Sequence, residues 1–187
     1  MTFTPAPVPK PARTITGLVL HATDSRWGRA SEIRSWHTLP TPKGRGWSHI
    51  GYHYVVTNGW PTPGAIHERS ALWDGRVEWC LPLDTPGFHV AGENAHTIGV
   101  VLVGAELAHF SKDQVTAAAR LFAALQALVG APLSVRGHCE TATGQAQGKT
   151  CPIVLMDAFR AAVLTAATVP AGARLAWLAD IHARGLQ

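Results

Sequence analysis

The sequence predicts an α/β domain in which a central mixed β-sheet is flanked by helices, with a short C-terminal helical extension. Short apolar runs of strand length alternate along the chain with longer stretches of helical periodicity, as in sheets covered by helices. The run IGVVLVG at 98–104 is apolar throughout, which predicts a central strand buried on both faces. A chain of 187 residues suits a single domain with one sizeable core.

Caps and turn residues delimit the predicted helices. Ser31 is a candidate N-cap of the first helix, and Ser111 with Gln114 forms a capping box for the second. Gly130 would end that second helix. The predicted order is strand 15–21, helix 29–37, strand 51–57, strand 98–104, the helix from Ser111 to Gly130, strand 133–136, a helix from Pro152 to near residue 167, and a last helix from Pro170 to Gly185.

The segment GYHYVVT at 51–57 is typical of a strand, and the Asn-Gly pair at 58–59 predicts that it enters a tight turn. Strict alternation along this strand would place Tyr52 and Tyr54 on one face and His53 on the other.

The stretch 60–97 is rich in Pro and Gly and predicts short strands joined by long loops. It carries several aromatic side chains: Trp60, Trp73, Trp79, Phe88 and His89. Aromatic loops of this kind form a binding surface or cover a small core, and the sequence leaves both interpretations open.

We divide the chain into a flexible, proline-rich segment at 1–14, a main domain at 15–165 and a helical tail at 166–187. The first segment has no uninterrupted apolar stretch, so we expect neither a signal peptide nor a membrane span. In a reducing cytoplasm the three cysteines are expected as thiols or metal ligands.

The charge balance is mildly basic, with a formal net charge of +4 and a pI near 9.3. This favours encounters with polyanions in general. The chain has no run of five or more basic residues, so a nucleic-acid partner is not expected.

Three potential metal ligands stand near the ends of predicted elements. His21 ends one strand, His138 follows another, and Cys151 precedes a helix. A catalytic zinc takes three protein ligands and leaves a fourth position to water, which this set satisfies. The alternatives are a disulfide or a structural metal site formed by Cys139 and Cys151, or no metal at all.

Four blocks of sequence carry a resemblance to a known family: LVLHATDS, SHIGYHYVVTNG, AHTIGVVLVG and GHCETATGQAQGKTCP. In this order and at these separations they resemble the zinc-dependent N-acetylmuramoyl-L-alanine amidases, which include phage amidase-type lysozymes and are related to peptidoglycan recognition proteins. The similarity covers residues 15–160 and is strongest to the phage branch, whose third zinc ligand is cysteine.

The resemblance implies one zinc ion held by His21, His138 and Cys151, with Tyr52 and Lys149 as the catalytic residues. It leaves the general base open, with Tyr52 or a water that it orients as the candidate. Contacts with substrate are expected from side chains near the aromatic loops: His53, Trp73, His89 and His96.

The function implied is hydrolysis of the amide bond between N-acetylmuramic acid and L-alanine in peptidoglycan. The absence of a predicted signal peptide favours a phage or prophage endolysin that stays in the host cytoplasm until lysis and then acts on the wall. We expect it to be a monomer. The alternatives are a cytosolic amidase that recycles anhydro-muropeptides and a binding module that does not cut. Membrane contact by the last helix stays open but is not expected.

The ligand loop from His138 to Cys151 is longer than in the phage relatives, and Cys139 is an additional thiol within it. The aromatic stretch 60–88 and the tail from 165 lie outside the clear similarity.

Overall fold

The computed structural model describes residues 5–65 and 67–186, which form one five-stranded mixed sheet with helices on both faces. The predicted fold class is therefore confirmed. The elements in chain order are β1 (Gly17–Ala22), α1 (Ala30–Thr38), β2 (Tyr54–Asn58), β3 (Asp74–Trp79), β4 (Thr97–Leu102), α2 (Lys112–Val129), β5 (Ser134–Gly137), α3 (Ala142–Ala146), α4 (Met156–Ala167) and α5 (Ala171–Ala183), with 3-10 turns at Pro63–Ala65, Leu107–His109 and His138–Glu140.

The strand order in the sheet is β3-β2-β4-β1-β5. β1 runs parallel to both β4 and β5, β2 runs parallel to β4, and only β3 is antiparallel to its neighbour β2. Every residue of β4 is buried, as the apolar run at 98–104 predicted. The carboxyl ends of the four parallel strands consequently meet at one edge of the sheet.

One face of the sheet, here called the sealed face, is covered by α2, α4 and α5. These helices pack against alternate residues of the strands to form the larger hydrophobic core, which includes Leu18, Leu20, Tyr54, Val56, Ile98, Val100, Phe122, Leu125, Phe159, Leu178 and Ile181. The last helix thus belongs to this core, because Leu178 and Ile181 are buried beside the strands and α2.

The opposite face, here called the cleft face, is covered only in part, by α1. A smaller core joins Ala30 and Ile33 of α1 to strand residues such as Val55 and Val101. His21 pairs in register with Val101 of this face. The uncovered part of the face is therefore adjacent to the end of β1.

α2 begins and ends where its caps predict. Ser111 Oγ accepts a hydrogen bond from Gln114 N at 2.9 Å, and Gly130 adopts φ = 72° after the last turn. The Gln114 side chain does not complete a capping box. It is fully buried and donates to Val56 O and Val103 O at 2.8 and 2.9 Å, which ties α2 to the sheet.

The start of α1 differs from the prediction. Ser31 lies inside the helix, which begins at Ala30. The Ala30 amide instead donates to Glu78 Oε2 at 2.8 Å, so a carboxylate on β3 satisfies the first turn. This cap comes from 48 residues away and could not be recognised from the local sequence.

The Asn-Gly pair does not form a two-residue hairpin. Gly59 has φ = 88°, but the chain runs through 60–73 before β3 pairs with β2. The Asn58 amide donates to Arg26 O and His109 O at 2.8 and 3.2 Å, and its side-chain oxygen accepts from Trp60 N at 3.2 Å. The residue organises a long connection instead of a tight turn.

The described part of the N-terminal segment is anchored at Arg13. Its guanidinium donates to the carbonyls of Leu83, Asn94, Ala95 and Thr97, and Ala12 N donates to Asp84 Oδ1 at 2.6 Å. Residues 12 and 13 therefore pack on the domain, in contrast to the flexible lead-in expected for 1–14. Residues 1–4 lie outside the described range.

Among the described residues no single helix combines the length and apolarity needed to cross a membrane. α4 and α5 have the required length and apolarity only when they are taken together, and the chain bends by 108° at the junction between them.

Candidate metal centre and active site

Three side chains from separate parts of the chain meet at the carboxyl edge of the sheet. β1 and β5 are parallel neighbours with Leu20 opposite Gly137, so the next residues, His21 near the end of β1 and His138 just after β5, lie side by side. Their ring centroids are 4.6 Å apart. Cys151 joins them with its Sγ 3.4 Å from His138 Nδ1. The candidate ligand atoms of the three residues all lie within 4.8 Å of one another.

The loop between His138 and Cys151 is a compact structure in which α3 forms the middle. Thr141 caps α3 by accepting from Gly144 N at 3.0 Å, and Lys149 N donates to Gly144 O at 2.9 Å. Cys139 N donates to Cys151 O at 2.9 Å, which closes the loop on itself. Sequence reasoning missed α3, because five helical residues give too short a periodic signal.

Cys139 supports this loop through its backbone and stands outside the three-residue group. All three cysteines are free, so the disulfide alternative is not formed.

A cleft of about 820 Å³ opens over these residues on the cleft face. It is lined by the three candidate ligands together with Tyr52, Lys149, Arg45 and the aromatic side chains Trp36, Trp47 and Phe88. Arg45, Trp36 and Trp47 were not expected as site residues, whereas Phe88 belongs to the aromatic stretch for which a binding surface was one of the two interpretations. The loop at 38–50 carried a signal in the Arg-Gly-Trp sequence at 45–47, since an aromatic side chain in a glycine-rich loop often contributes to binding.

Tyr52 lies 5.2 Å from His21, measured between ring centroids. It is on the cleft face, whereas Tyr54 is buried in the core of the sealed face. The prediction that the two tyrosines share a face is wrong because β2 begins only at Tyr54 and the chain before it has left the pleat. Burial, and secondarily Cys151, raises the pKa of the Tyr52 hydroxyl, which therefore stays protonated at neutral pH.

Lys149 is exposed at the rim of the cleft. The pKa of His138 is lowered by burial first and by the Lys149 charge second. The pKa of the Cys151 thiol is raised by burial, against which the Ala22 amide and the Lys149 charge act in the opposite direction. The ammonium group is thus close enough to affect two of the three candidate ligands.

His21 is buried, and burial together with the neighbouring rings of His89 and His138 holds its pKa well below the usual range. A neutral imidazole is the form that binds a metal ion.

Of the four side chains expected to contact substrate, only His89 lines the cleft. His89 Nδ1 lies 3.1 Å from His21 Nε2, and burial lowers its pKa to about 3. His53 is fully buried, with Nδ1 accepting from Gly99 N and Nε2 donating to Thr85 O, each at 3.0 Å. Both ring nitrogens of His53 are thereby used within the protein, which gives no support for a substrate contact.

The other two expected contacts stand away from the residues that line the cleft. The Trp73 ring contacts the guanidinium groups of Arg29 and Arg76, whose central carbons are 5.2 and 4.5 Å from the ring centroid. His96 is exposed, and its Nδ1 is 3.3 Å from Thr14 O.

The three converging residues fit a zinc ion by the chemistry of their donor atoms. Two imidazole nitrogens and one thiol sulfur are ligands that zinc prefers, and a set of three leaves a coordination position for water or substrate. The short separations among the candidate ligand atoms and the neutral state of His21 agree with this assignment.

Comparison with solved structures identifies the fold. The solved N-acetylmuramoyl-L-alanine amidase LysC from Clostridium intestinale URNW superposes with a TM-score of 0.58 at 19% identity, covering 86% of this chain and 91% of that protein. The Ph2119 endolysin from Thermus scotoductus MAT2119 bacteriophage Ph2119 superposes with a TM-score of 0.56 at 24% identity, covering 87% and 92%. The fold is that of amidases and endolysins of this kind.

Sequence comparison then gives the family. Residues 11–153 match the family model described as N-acetylmuramoyl-L-alanine amidase. The endolysin of Klebsiella phage KP32 is 30% identical over 121 residues, which is 65% of this chain and 67% of that protein. Matches to two further phage endolysins, of Enterobacteria phages K11 and T3, span only 35% and 52% of those proteins. The chain belongs to the N-acetylmuramoyl-L-alanine amidase family.

Proposed function

We propose that this protein is a zinc-dependent amidase that cleaves the bond between N-acetylmuramic acid and L-alanine in peptidoglycan. The observation that carries the proposal is the convergence of His21, His138 and Cys151 in one cleft with Tyr52 and Lys149. These five residues come from four separate segments of the chain. Family membership supports the same reaction.

His21, His138 and Cys151 would hold the zinc ion. When bound, zinc polarises a carbonyl oxygen and lowers the pKa of a bound water towards about 7. The chain's own residues then have the tasks of binding the substrate, orienting the scissile amide and stabilising the charge that develops on its oxygen.

Tyr52 and Lys149 suit the last of these tasks because both present a proton to the cleft. In the metal-free protein the raised pKa of Tyr52 keeps its hydroxyl protonated, so that it can donate a hydrogen bond to the substrate. The Lys149 ammonium brings a positive charge to the same region. Each donor aimed at a developing oxyanion is worth about 3 to 4 kcal/mol in comparable sites.

Arg45 and the aromatic side chains would bind the substrate on the α1 side of the cleft. The Arg45 guanidinium lies over the Trp47 ring at 5.1 Å, and Trp47 in turn contacts Phe88 with ring centroids 5.5 Å apart. Such a wall offers apolar surface to the substrate and a cation to its carboxylates.

The biological setting that we propose is that of an endolysin. The curated relatives named above are phage endolysins. A net charge of +4 would favour approach to an anionic wall. We expect a monomer that remains in the host cytoplasm until lysis and then acts on the wall.

The test is digestion of purified peptidoglycan by the zinc-loaded protein and by Cys151→Ser, with mass analysis of the products. We expect stem peptides with free L-alanine amino termini and intact glycan strands, and at least a 1,000-fold loss of rate, roughly the cost of losing a catalytic group, in the variant. Cys80→Ser is the matched control, since Cys80 is buried in the smaller core and does not line the cleft.

The same assay on soluble anhydro-muropeptides separates the endolysin from a recycling amidase. Faster turnover of the fragments than of intact sacculi would favour recycling. Binding of peptidoglycan without any cutting would contradict the amidase proposal.

A further inference from the structure

A row of hydrogen-bonded side chains runs from His21 into the protein. His21 Nε2 lies 3.1 Å from His89 Nδ1, and His89 Nε2 lies 3.4 Å from Thr97 Oγ1. Thr97 Oγ1 in turn donates to Glu93 O at 2.8 Å. His89 and Thr97 are 7% and 1% exposed, so water does not compete freely for these bonds.

The far end of the row fixes where the protons are. Thr97 has one hydroxyl proton, and the Glu93 carbonyl can only accept it. Thr97 Oγ1 must therefore accept from His89, which places a proton on His89 Nε2.

The same reasoning passes from His89 to His21. A neutral imidazole carries one proton, so His89 Nδ1 is an acceptor once Nε2 holds the proton. The nitrogen that faces it, His21 Nε2, must then donate. This leaves the lone pair of His21 on Nδ1.

We propose that His89 and Thr97 are positioning residues that hold His21 in its Nε2–H tautomer, so that Nδ1 is the atom offered to the metal ion. The inference rests on the proposed zinc site for its purpose, but the tautomer itself is a property of the metal-free protein. Partners that fix the second nitrogen of a metal-binding histidine generally set its orientation and raise its basicity.

The position of the His89 ring is built into the backbone around it. A Cβ atom at Gly99 would lie 2.6 Å from His89 Cγ, and one at Gly87 would lie 2.8 Å from His89 Cδ2. Neither glycine is among those with positive φ, so close neighbours and not an unusual backbone conformation exclude a side chain there. At Gly99 the three nearest atoms all belong to the His89 ring, whereas at Gly87 the Gly51 carbonyl oxygen is closer than the ring. Gly99 stands opposite Val19 on β1, two residues before His21.

The first experiment measures the tautomer without any metal. Metal-free protein labelled with 15N in its histidines is examined by NMR, and the His21 ring is identified by the signal lost in His21→Gln. At neutral pH we expect the 15N chemical shifts of His21 to be those of the Nε2–H tautomer. An Nδ1–H ring, or a mixture of the two tautomers, would overturn the proposal.

The second experiment compares His89→Gln with His89→Leu. Glutamine can still accept from His21 and donate to Thr97, whereas leucine can do neither. We expect zinc affinity, measured by competition with a chelator, to fall by roughly 10- to 100-fold for leucine and to be largely rescued by glutamine. Equal affinities of the two variants at equal thermal stability would contradict the assignment.

Substitutions at two further positions, Gly99 and Thr97, test the same row without changing His89. Gly99→Ala should displace the ring and weaken zinc binding, and Thr97→Val should do so more than Thr97→Ser, which keeps the hydroxyl. Thr57→Val is the matched control, because Thr57 is also fully buried but bonds to Trp73 O and Arg76 O on the far side of β2. If Thr57→Val weakened zinc binding as much as Thr97→Val, the proposal would fail.

The two experiments separate this inference from the proposed function. An Nε2–H ring in a protein that binds no zinc would support the hydrogen-bonded row and refute the metal site. Zinc binding that is unaffected by His89→Leu would support the metal site and refute the row.

Discussion

The two faces of the sheet use the same strands for different purposes. On the sealed face, side chains such as Leu20, Tyr54 and Val100 are enclosed by α2, α4 and α5. On the cleft face, the neighbouring residues His21 and Val101 lie next to a single helix and an open cleft. Successive residues of a strand point to opposite faces of the sheet. The same strands can therefore contribute core residues to one face and active-site residues to the other.

The difference also concerns polar groups. The cleft face buries a group of imidazoles, among them His21, His37, His53 and His89, whereas the core of the sealed face is mostly apolar, with Gln114 as a buried polar residue. Buried imidazoles are kept neutral at a cost in stability under acid conditions. Substitutions on the two faces should therefore separate folding from activity.

The largest expected effect is Phe122→Ala on the sealed face. Phe122 is fully buried and packs edge to face on Phe159, with ring centroids 5.2 Å apart. Its removal should lower the free energy of unfolding by about 3 to 5 kcal/mol, with little change in activity per folded molecule. Chemical denaturation measures the loss, and Phe88→Ala at the cleft rim, where Phe88 is 39% exposed, is the control. A similar loss of stability for both variants would refute the contrast between the faces.

Lys149→Met should produce the converse result. Lys149 is exposed at the cleft, so thermal unfolding should change little. Loss of a cationic donor to the developing oxyanion should lower kcat by about 100- to 1,000-fold. Steady-state kinetics on purified peptidoglycan measures the effect, with Lys43→Met as an exposed loop control outside the cleft. Unchanged kcat would exclude Lys149 from the catalytic machinery.

Acid should destabilise the protein through the buried imidazoles of the cleft face. Burial, with the Arg45 charge acting in the same direction, lowers the pKa of His37 to about 4, whereas the unfolded chain has an ordinary histidine pKa near 6.5. Between these two values the unfolded state binds more protons, so stability is complete above pH 6.5 and is lost as the pH falls towards 4.

His37→Asn tests this pH dependence. The asparagine oxygen can replace Nδ1 as acceptor for the Gly51 amide, which donates to His37 at 3.0 Å. We expect denaturation curves recorded from pH 7 to pH 4 to show a loss smaller by about 1 to 3 kcal/mol in the variant. An identical pH dependence in wild type and variant would show that His37 does not contribute.

The smallest expected effect is that of Ser111→Ala. Ser111 caps α2 and also donates to the Asp74 carboxylate, so its loss should cost about 1 kcal/mol. Ser31→Ala is the comparison, because Ser31 is inside α1 and bonds to Glu32 at the surface. Its unfolding free energy should stay within about 0.5 kcal/mol of wild type. A larger loss for Ser31→Ala would mean that α1 depends on this serine after all.

The sequence predicted best those structural features that depend on a single short segment of the chain. The apolar run at 98–104 determines a buried strand by itself, and the Ser111 and Gly130 signals act on the residues beside them. The ends of β1 and β5 could be predicted in the same way, and parallel pairing then brings His21 and His138 together.

Features that depend on distant partners could not be predicted. The cap of α1 is Glu78 on another strand, and the role of Asn58 depends on Arg26 and His109. The face of the sheet on which the Tyr52 side chain lies depends on where β2 begins. Packing, and not the alternating sequence pattern, determines that position. The four expected substrate contacts were selected by their position near the aromatic loops, and only His89 lines the cleft, because the path of these loops over the sheet cannot be inferred from the local sequence.

The anchoring of Arg13 has a consequence for building chimeric enzymes. A catalytic module cut at residue 15, where the first strand of the domain is predicted, would lack the guanidinium that joins the carbonyls of Leu83, Asn94 and Thr97. Pro11 beside it is also buried. A catalytic module intended for fusion to a wall-binding domain should therefore start no later than residue 11, with the linker attached upstream of that proline.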